Sequence, residues 1–310
     1  MTRRKESPRV LAVDLGGTKI ATAVVGSTGR LTQEHEQPVD TSSPESPIDQ
    51  IVALYRDTAR TKTSVTAIGI AVPGLVRRDG TVWAPNLTGW DAVPLARELR
   101  QRLRLPVAVE SDRNAAVLGE SWRGAARGKS DVIVLIVGTG IGAGILSGGR
   151  LVRGAHELSG CVGWMVVTDA RSEEGKRVGS LEALVGGPAL ARAANLNGAG
   201  AVSVAEAARN GDEGARDVFL QGGWRLGLAV ANLVSLFDPE VIVLTGGVTS
   251  AADLFLVETR RSANEYAQPL SMPEVEIVVS ELGSRANLLG AARLAFDAAT
   301  EKRTGRRSRR

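Results

Sequence analysis

Asp14-Leu15-Gly16-Gly17-Thr18-Lys19 is the stretch on which the fold turns. Residues 9–15 lead into it as a buried strand and residues 18–25 leave it as a second, so the glycine pair stands at the turn of a hairpin. Glycines at such a turn let backbone N–H groups approach phosphate oxygens more closely than a Cβ would permit. Thr18 adds a hydroxyl donor, and Asp14 at the strand end is placed to hold a magnesium ion through water. An ordinary hairpin turn is the plainer alternative, but it has no use for an Asp, two glycines and a Thr after a buried strand.

The arrangement returns further along. Gly138-Thr139-Gly140-Ile141-Gly142-Ala143-Gly144 follows an apolar run over 132–137 and continues as extended chain over 145–152. A dinucleotide fingerprint has similar glycines but opens a helix and is followed by an acidic ribose contact. Here a strand continues, so that reading is rejected. A Walker loop is rejected as well, since no Gly-Lys-Ser/Thr ending follows. A second strand–turn–strand phosphate clamp fits better. Thr245-Gly246-Gly247, after an apolar run over 241–244, suits close packing against a nucleobase.

Around these turns, helical spacing or capping signals predict helices over 44–60, 95–104, 114–126, 188–195, 202–210, 214–237 and 286–299. Further strands are predicted over 31–37, 65–72, 107–110 and 275–279, with 75–95 and 153–180 irregular. Strands alternate with helices in both halves, and each half opens with strand, glycine turn, strand. The fold class is therefore α/β, as two similar units around a cleft.

Composition agrees with this and narrows the function classes. The 310 residues are 43% hydrophobic and 23% charged, enough for a large core and against disorder as the main state. The chain carries a net +4, but residues 1–6 hold +2 and residues 301–310 hold +5, which leaves 7–300 at −3. The basicity thus belongs to the ends and gives no argument for an acidic macromolecular partner. Cys161 is the single cysteine, which excludes an intrachain disulfide and a multi-cysteine metal site and fits a reducing, cytoplasmic compartment. No apolar run reaches the ~18 residues of a membrane span, and none stands before Asp14 as a signal peptide would require.

Four motifs in order carry a resemblance. Asp14-Leu15-Gly16-Gly17-Thr18-Lys19, Asp112-Arg113-Asn114-Ala115-Ala116, the glycine turn from Gly138 and Thr245-Gly246-Gly247 are similar to those of the ROK family of repressors and sugar kinases. Pro73-Gly74 and Pro85-Asn86-Leu87-Thr88-Gly89-Trp90 add to it. The resemblance implies two ribonuclease-H-like α/β domains around a nucleotide cleft, the actin-like ATPase fold. Residues 8–115 with 286–300 would form the smaller domain, 116–285 the larger, and 301–310 a disordered basic tail. It also implies an ATP- and magnesium-dependent kinase acting on a primary hydroxyl, as a homodimer. Asp112 would be the base that accepts the hydroxyl proton; its plainer alternative is a helix N-cap. ATP and magnesium would fall to Asp14, Gly16, Gly17, Thr18, Lys19, Gly138, Thr139, Gly140, Gly142, Gly246 and Gly247. The acceptor would fall to Gly74, Asn86, Ser111, Asp112, Cys161, Trp164 and Glu182.

The chain also departs from that family. Ser111 stands where an Asn is usual, and Ser159-Gly160-Cys161-Val162-Gly163-Trp164 stands where the family has a sugar-binding Glu and a His that also binds zinc. The family's zinc loop would fall within 168–180, which holds no cysteine, so no zinc is expected. Losing that polar pair would cost a bound hexose roughly 1–3 kcal/mol for each unsatisfied buried group. Three readings stay open: a C7-cyclitol pseudo-sugar against an apolar Trp164 wall, a hexose or amino hexose read from other sides, or a binding protein that has lost catalysis. The family's repressors carry an N-terminal DNA reader of about 60 residues. Only eight residues precede the first strand here, so specific nucleic-acid binding is not expected.

Overall fold

A computed structural model describes residues 7–61, 63–168, 172–196, 198 and 200–304. Its contacts divide the chain into two compact units. The first takes in the described residues of Met1–Gly124, Gly154–Leu158 and Ser284–Arg310; the second takes in those of Ala125–Arg153 and Ser159–Gly283.

The chain enters the first unit through β1 (Arg9–Leu15), β2 (Lys19–Gly26) and β3 (Leu31–Pro38), with β2 antiparallel to both of its neighbours. Val10, Leu11, Ala12, Val13 and Leu15 are buried, as a central strand covered on both faces requires. β3 is polar and exposed along its length, which suits a sheet edge. Helix α1 (Ser46–Arg60) leads to β4 (Ile68–Val72), fully buried and parallel to β1. A small hairpin of β5 (Leu75–Val76) and β6 (Val82–Trp83), helix α2 (Leu95–Leu103) and strand β7 (Val107–Ser111) follow, and α3 (Asp112–Arg123) ends this passage. The sheet order is β3-β2-β1-β4-β7, with β4 and β7 parallel.

The second unit repeats this plan. β8 (Val132–Val137), β9 (Ile141–Ser147) and β10 (Arg150–Leu151) are antiparallel; β11 (Val241–Thr245) and β12 (Glu276–Val279) add in parallel, giving the order β10-β9-β8-β11-β12. Helices α4 (Glu173–Val178), α5 (Ser180–Val185), α6 (Gly187–Ala193), α7 (Ala201–Arg209), α8 (Glu213–Phe237) and α9 (Ala252–Tyr266) belong to it. α8 and α9 pack at glycines: a Cβ on Gly223 would lie 2.7 Å from the Phe255 carbonyl oxygen, and one on Gly227 2.5 Å from that of Thr259.

The chain then returns to the first unit with α10 (Arg285–Thr304). This helix lies on α3 and β4 so closely that a Cβ at Gly119 would sit 2.0 Å from the Ala286 oxygen, and one at Gly69 1.7 Å from that of Ala291. This packing keeps α3 whole within the first unit, so the division falls after Gly124 instead of at residue 115, and Gly154–Leu158 joins the first unit too.

Other boundaries also differ from expectation. α10 continues through 301–304, where a disordered tail was expected; residues 305–310 lie outside the described ones. The 153–180 stretch, read as irregular, contains α4 and begins α5, because Ser172 caps α4 by accepting the Gly175 N–H at 2.9 Å. α9 had no counterpart in the sequence reading.

Candidate active site

In the first unit the candidate residues gather where parallel strands end. Asp14 on β1 stands in register with Ala71 of β4, and Val72 of β4 with Ser111 of β7. The carboxyl ends of parallel strands are the edge at which α/β sheets bind ligands. Gly16 N–H donates to the Lys19 carbonyl at 2.8 Å, closing the turn. A Cβ on Gly17 would meet the Asn86 Cβ at 2.9 Å, so this glycine is required by close approach of the Asn86 loop. That loop is pinned by Trp90, which is buried and donates its Nε1–H to the Pro44 carbonyl at 2.9 Å. Gly74 has φ +119°, and a Cβ there would lie 2.3 Å from the Trp83 oxygen. Thr18 is exposed, and Lys19 is exposed with its ammonium 2.8 Å from Glu36.

Asp14 is the electrostatic centre of this half. Burial, together with the nearby charge of Asp112, pushes its carboxyl up to about 7, against the opposing hydrogen bond from Asn287. The Asn287 amide of α10 lies 3.2 Å from both carboxylate oxygens and fixes their orientation. Asn287 was missed in the sequence, because a partner 273 residues away leaves no local signal.

Asp112 opens α3 and is likewise held above the ordinary Asp range by burial, offset by its hydrogen bond from the Arg113 N–H at 2.8 Å. The cap of α3 is Ser111, extended at φ −62°, ψ 149°, whose Oγ accepts the Asn114 N–H at 3.4 Å. The cap role is therefore filled by Ser111, and Asp112 is left free of it. Ser111 itself is only 4% exposed, which sets it in the frame of the site more than on its surface. Beneath it, Glu110 Oε1 accepts the Ser111 N–H and the Asn114 amide, both at 3.0 Å.

In the second unit the glycine turn joins β8 to β9, with Val137 and Ile141 in register and Gly138 N–H donating to the Gly140 carbonyl at 2.9 Å. Thr139 and Gly140 are exposed, while Gly142 lies within β9. Gly246 has φ +99°, and a Cβ there would lie 2.5 Å from the Val137 oxygen, so Gly246-Gly247 sits directly against the end of β8. Glu182, expected at the acceptor, accepts the Ile141 N–H at its Oε2, 2.8 Å away. Burial raises its carboxyl above the ordinary Glu range, and that hydrogen bond opposes the rise.

Cys161 precedes a 3-10 turn, Val162–Trp164, whose last residue is 57% exposed. Trp164 is thus a surface wall and no part of the core. The loop is fastened to β9 through Ala143 N–H donating to the Gly160 carbonyl at 2.7 Å. Among the described residues, no three His, Cys, Asp or Glu side chains are grouped as metal ligands would be.

The ROK family model matches residues 10–298. The glucokinase of Streptomyces coelicolor is 33% identical over 92% of this chain and 96% of its own length. The bifunctional enzyme NanE/NanK of Brucella suis is 36% identical over 94% of this chain, which spans 54% of that enzyme. Among solved structures, the ROK family glucokinase of Streptomyces griseus in complex with glucose and AMPPNP superposes with a TM-score of 0.78 at 33% identity, covering 93% of this chain and 99% of that one. The ROK hexokinase of Thermus thermophilus gives 0.81 at 32% identity, covering 94% and 99%.

Proposed function

This chain belongs to the ROK family, and from that premise we propose that it transfers the γ-phosphoryl group of ATP to the primary hydroxyl of a hexose or amino hexose, with Asp112 as base. It is an ATP-dependent carbohydrate kinase of the actin-like ATPase fold. The identity of the acceptor is the proposal. The C7-cyclitol reading draws no support from the relatives above, which are a glucokinase, a hexokinase and a NanE/NanK enzyme; they support the hexose alternative.

The observation that carries the mechanism is the state of Asp112: a half-buried carboxyl raised by desolvation at the carboxyl end of β7, on the same sheet edge as Asp14 and relieved of capping by Ser111. A primary alcohol is a weak nucleophile until its proton has somewhere to go. Asp112 takes that proton as the alcohol oxygen bonds to the γ-phosphorus and the bond to the β-phosphate oxygen breaks, releasing ADP. A carboxyl raised above the usual range is a stronger base at neutral pH than an exposed one.

Asp14 fits a magnesium site. It is a half-buried carboxylate pushed towards neutrality by desolvation, and its described side-chain donor is a neutral amide, so a cation would supply the missing charge. A single carboxylate suffices, because magnesium keeps several waters and takes the rest of its shell from phosphates. When bound, the ion neutralises charge on the transferring phosphoryl group. The Asp14 turn, the Gly138 turn and Gly246-Gly247 are assigned to ATP through backbone N–H groups other than those of Gly16 and Gly138, which close the turns themselves. A coupled ADP-release screen over hexoses, amino hexoses and C7-cyclitols tests the acceptor. Turnover on a hexose or amino hexose well above that on cyclitols is expected, and the reverse order overturns this reading.

A further inference from the structure

The geometry points to Glu182 as a positioning residue for the ATP-phosphate turn, which it holds from outside by accepting the Ile141 N–H. The assignment rests on the kinase reading above and deepens it.

The turn from Gly138 to Ile141 is anchored at both ends by one short segment. At its start, the Gly138 carbonyl accepts the Gly187 N–H at 2.8 Å. At its end, the Ile141 N–H donates to Glu182 Oε2 at 2.8 Å. Glu182 lies on α5 and Gly187 opens α6, so consecutive elements grip the two sides of the turn.

The space around the carboxylate tells the same story independently. A Cβ on Gly140 would lie 2.9 Å from Glu182 Oε2, and one on Gly163 2.8 Å from the Ile141 carbonyl and 3.0 Å from Glu182 Oε2. A Cβ on Gly186 would lie 2.9 Å from the Glu182 carbonyl and 3.0 Å from the Thr139 carbonyl. Gly163 and Gly186 lie outside the phosphate turn, and neither has a positive φ in the structure. Their missing side chains make room for Glu182 and for the turn it holds.

Reach and charge can be separated by two conservative variants. Glu182→Gln keeps a carbonyl oxygen at the distance of Oε2 and loses the charge. Glu182→Asp keeps the charge and falls one methylene short of Ile141. Binding of Mg·ATP without sugar, measured by calorimetry on the full chain, reads the turn directly; KM for the sugar reads the acceptor. We expect Glu182→Asp to weaken ATP binding about tenfold, equivalent to ~1.4 kcal/mol, and Glu182→Gln to stay within about threefold of wild type. Sugar KM should move less than ATP affinity in Glu182→Asp. Unchanged ATP affinity in Glu182→Asp, with a raised sugar KM in both variants, would overturn the assignment and leave the kinase standing. A wild-type chain that binds no ATP would sink both.

Discussion

Asp112→Asn is the sharpest test of the mechanism. The Asn side chain is nearly isosteric, and its carbonyl can still accept the Arg113 N–H that Asp112 Oδ1 holds at 2.8 Å. Because burial raises the Asp112 carboxyl, replacing it with a neutral amide removes an unfavourable buried charge and leaves the fold intact. What is lost is the proton acceptor. Positioned general bases contribute ~10²–10⁴-fold, or ~3–5 kcal/mol of barrier at 1.36 kcal/mol per tenfold. Coupled ADP release with saturating hexose and ATP should therefore show kcat down by two to four orders of magnitude, while calorimetry shows ATP binding within about twofold of wild type. The wild-type rate should fall on the acid side with a midpoint above that of an ordinary Asp, since a protonated Asp112 cannot accept the hydroxyl proton. A variant that keeps kcat within about threefold of wild type refutes Asp112 as base.

Three further outcomes follow from the same physics. For Asp14, the folded value of about 7 stands above the ordinary 3.8, so the folded state binds this proton more tightly; its stabilising contribution is present at pH 4 and is lost as pH rises through 7. Without nucleotide or metal, Asp14→Asn should match wild type near pH 4 and exceed it near pH 8 by as much as ~4 kcal/mol in denaturant unfolding; equal stability at both pH values would count against it. Gly246→Ala forces a Cβ into a φ of +99° and to 2.5 Å from the Val137 oxygen, and should cost at least ~2 kcal/mol of stability and weaken ATP binding; an unchanged melting temperature would refute the strain argument. Cys161→Glu with Trp164→His restores polar partners at a half-buried residue before the 3-10 turn and at the exposed one that ends it, and should lower the hexose KM roughly tenfold; an unchanged or higher KM would show that this wall does not face the acceptor.

The plan of the fold is written in local patterns, and that is why it can be read from the chain alone. An apolar run that stops at Asp14-Leu15-Gly16-Gly17, and another that stops at Gly138, each announce a strand–turn–strand by residue type and spacing, and the structure has both. Asp112 stood out through the resemblance of Asp112-Arg113-Asn114-Ala115-Ala116 to the family motif, and the structure places it between β7 and α3. α9 escaped because its period is diluted by charge, and the cap of α3 fell to Ser111 because a backbone angle decides that, which composition does not report.

What these residues do to one another was decided by the tertiary structure. Asn287 orients Asp14 across 273 positions and Glu182 holds Ile141 across 41, while Gly163 and Gly186 are glycine because the backbone carbonyls of Ile141, Glu182 and Thr139 occupy the room. Strands and turns follow from forces between neighbours in sequence, which leave a periodic trace. Hydrogen bonds and close approaches between distant segments leave none, since each depends on where two separately folded elements come to rest. The sequence by itself therefore determined the α/β plan and the two strand–turn–strand units with their glycine turns. Only the tertiary structure decided which side chains hold them in place.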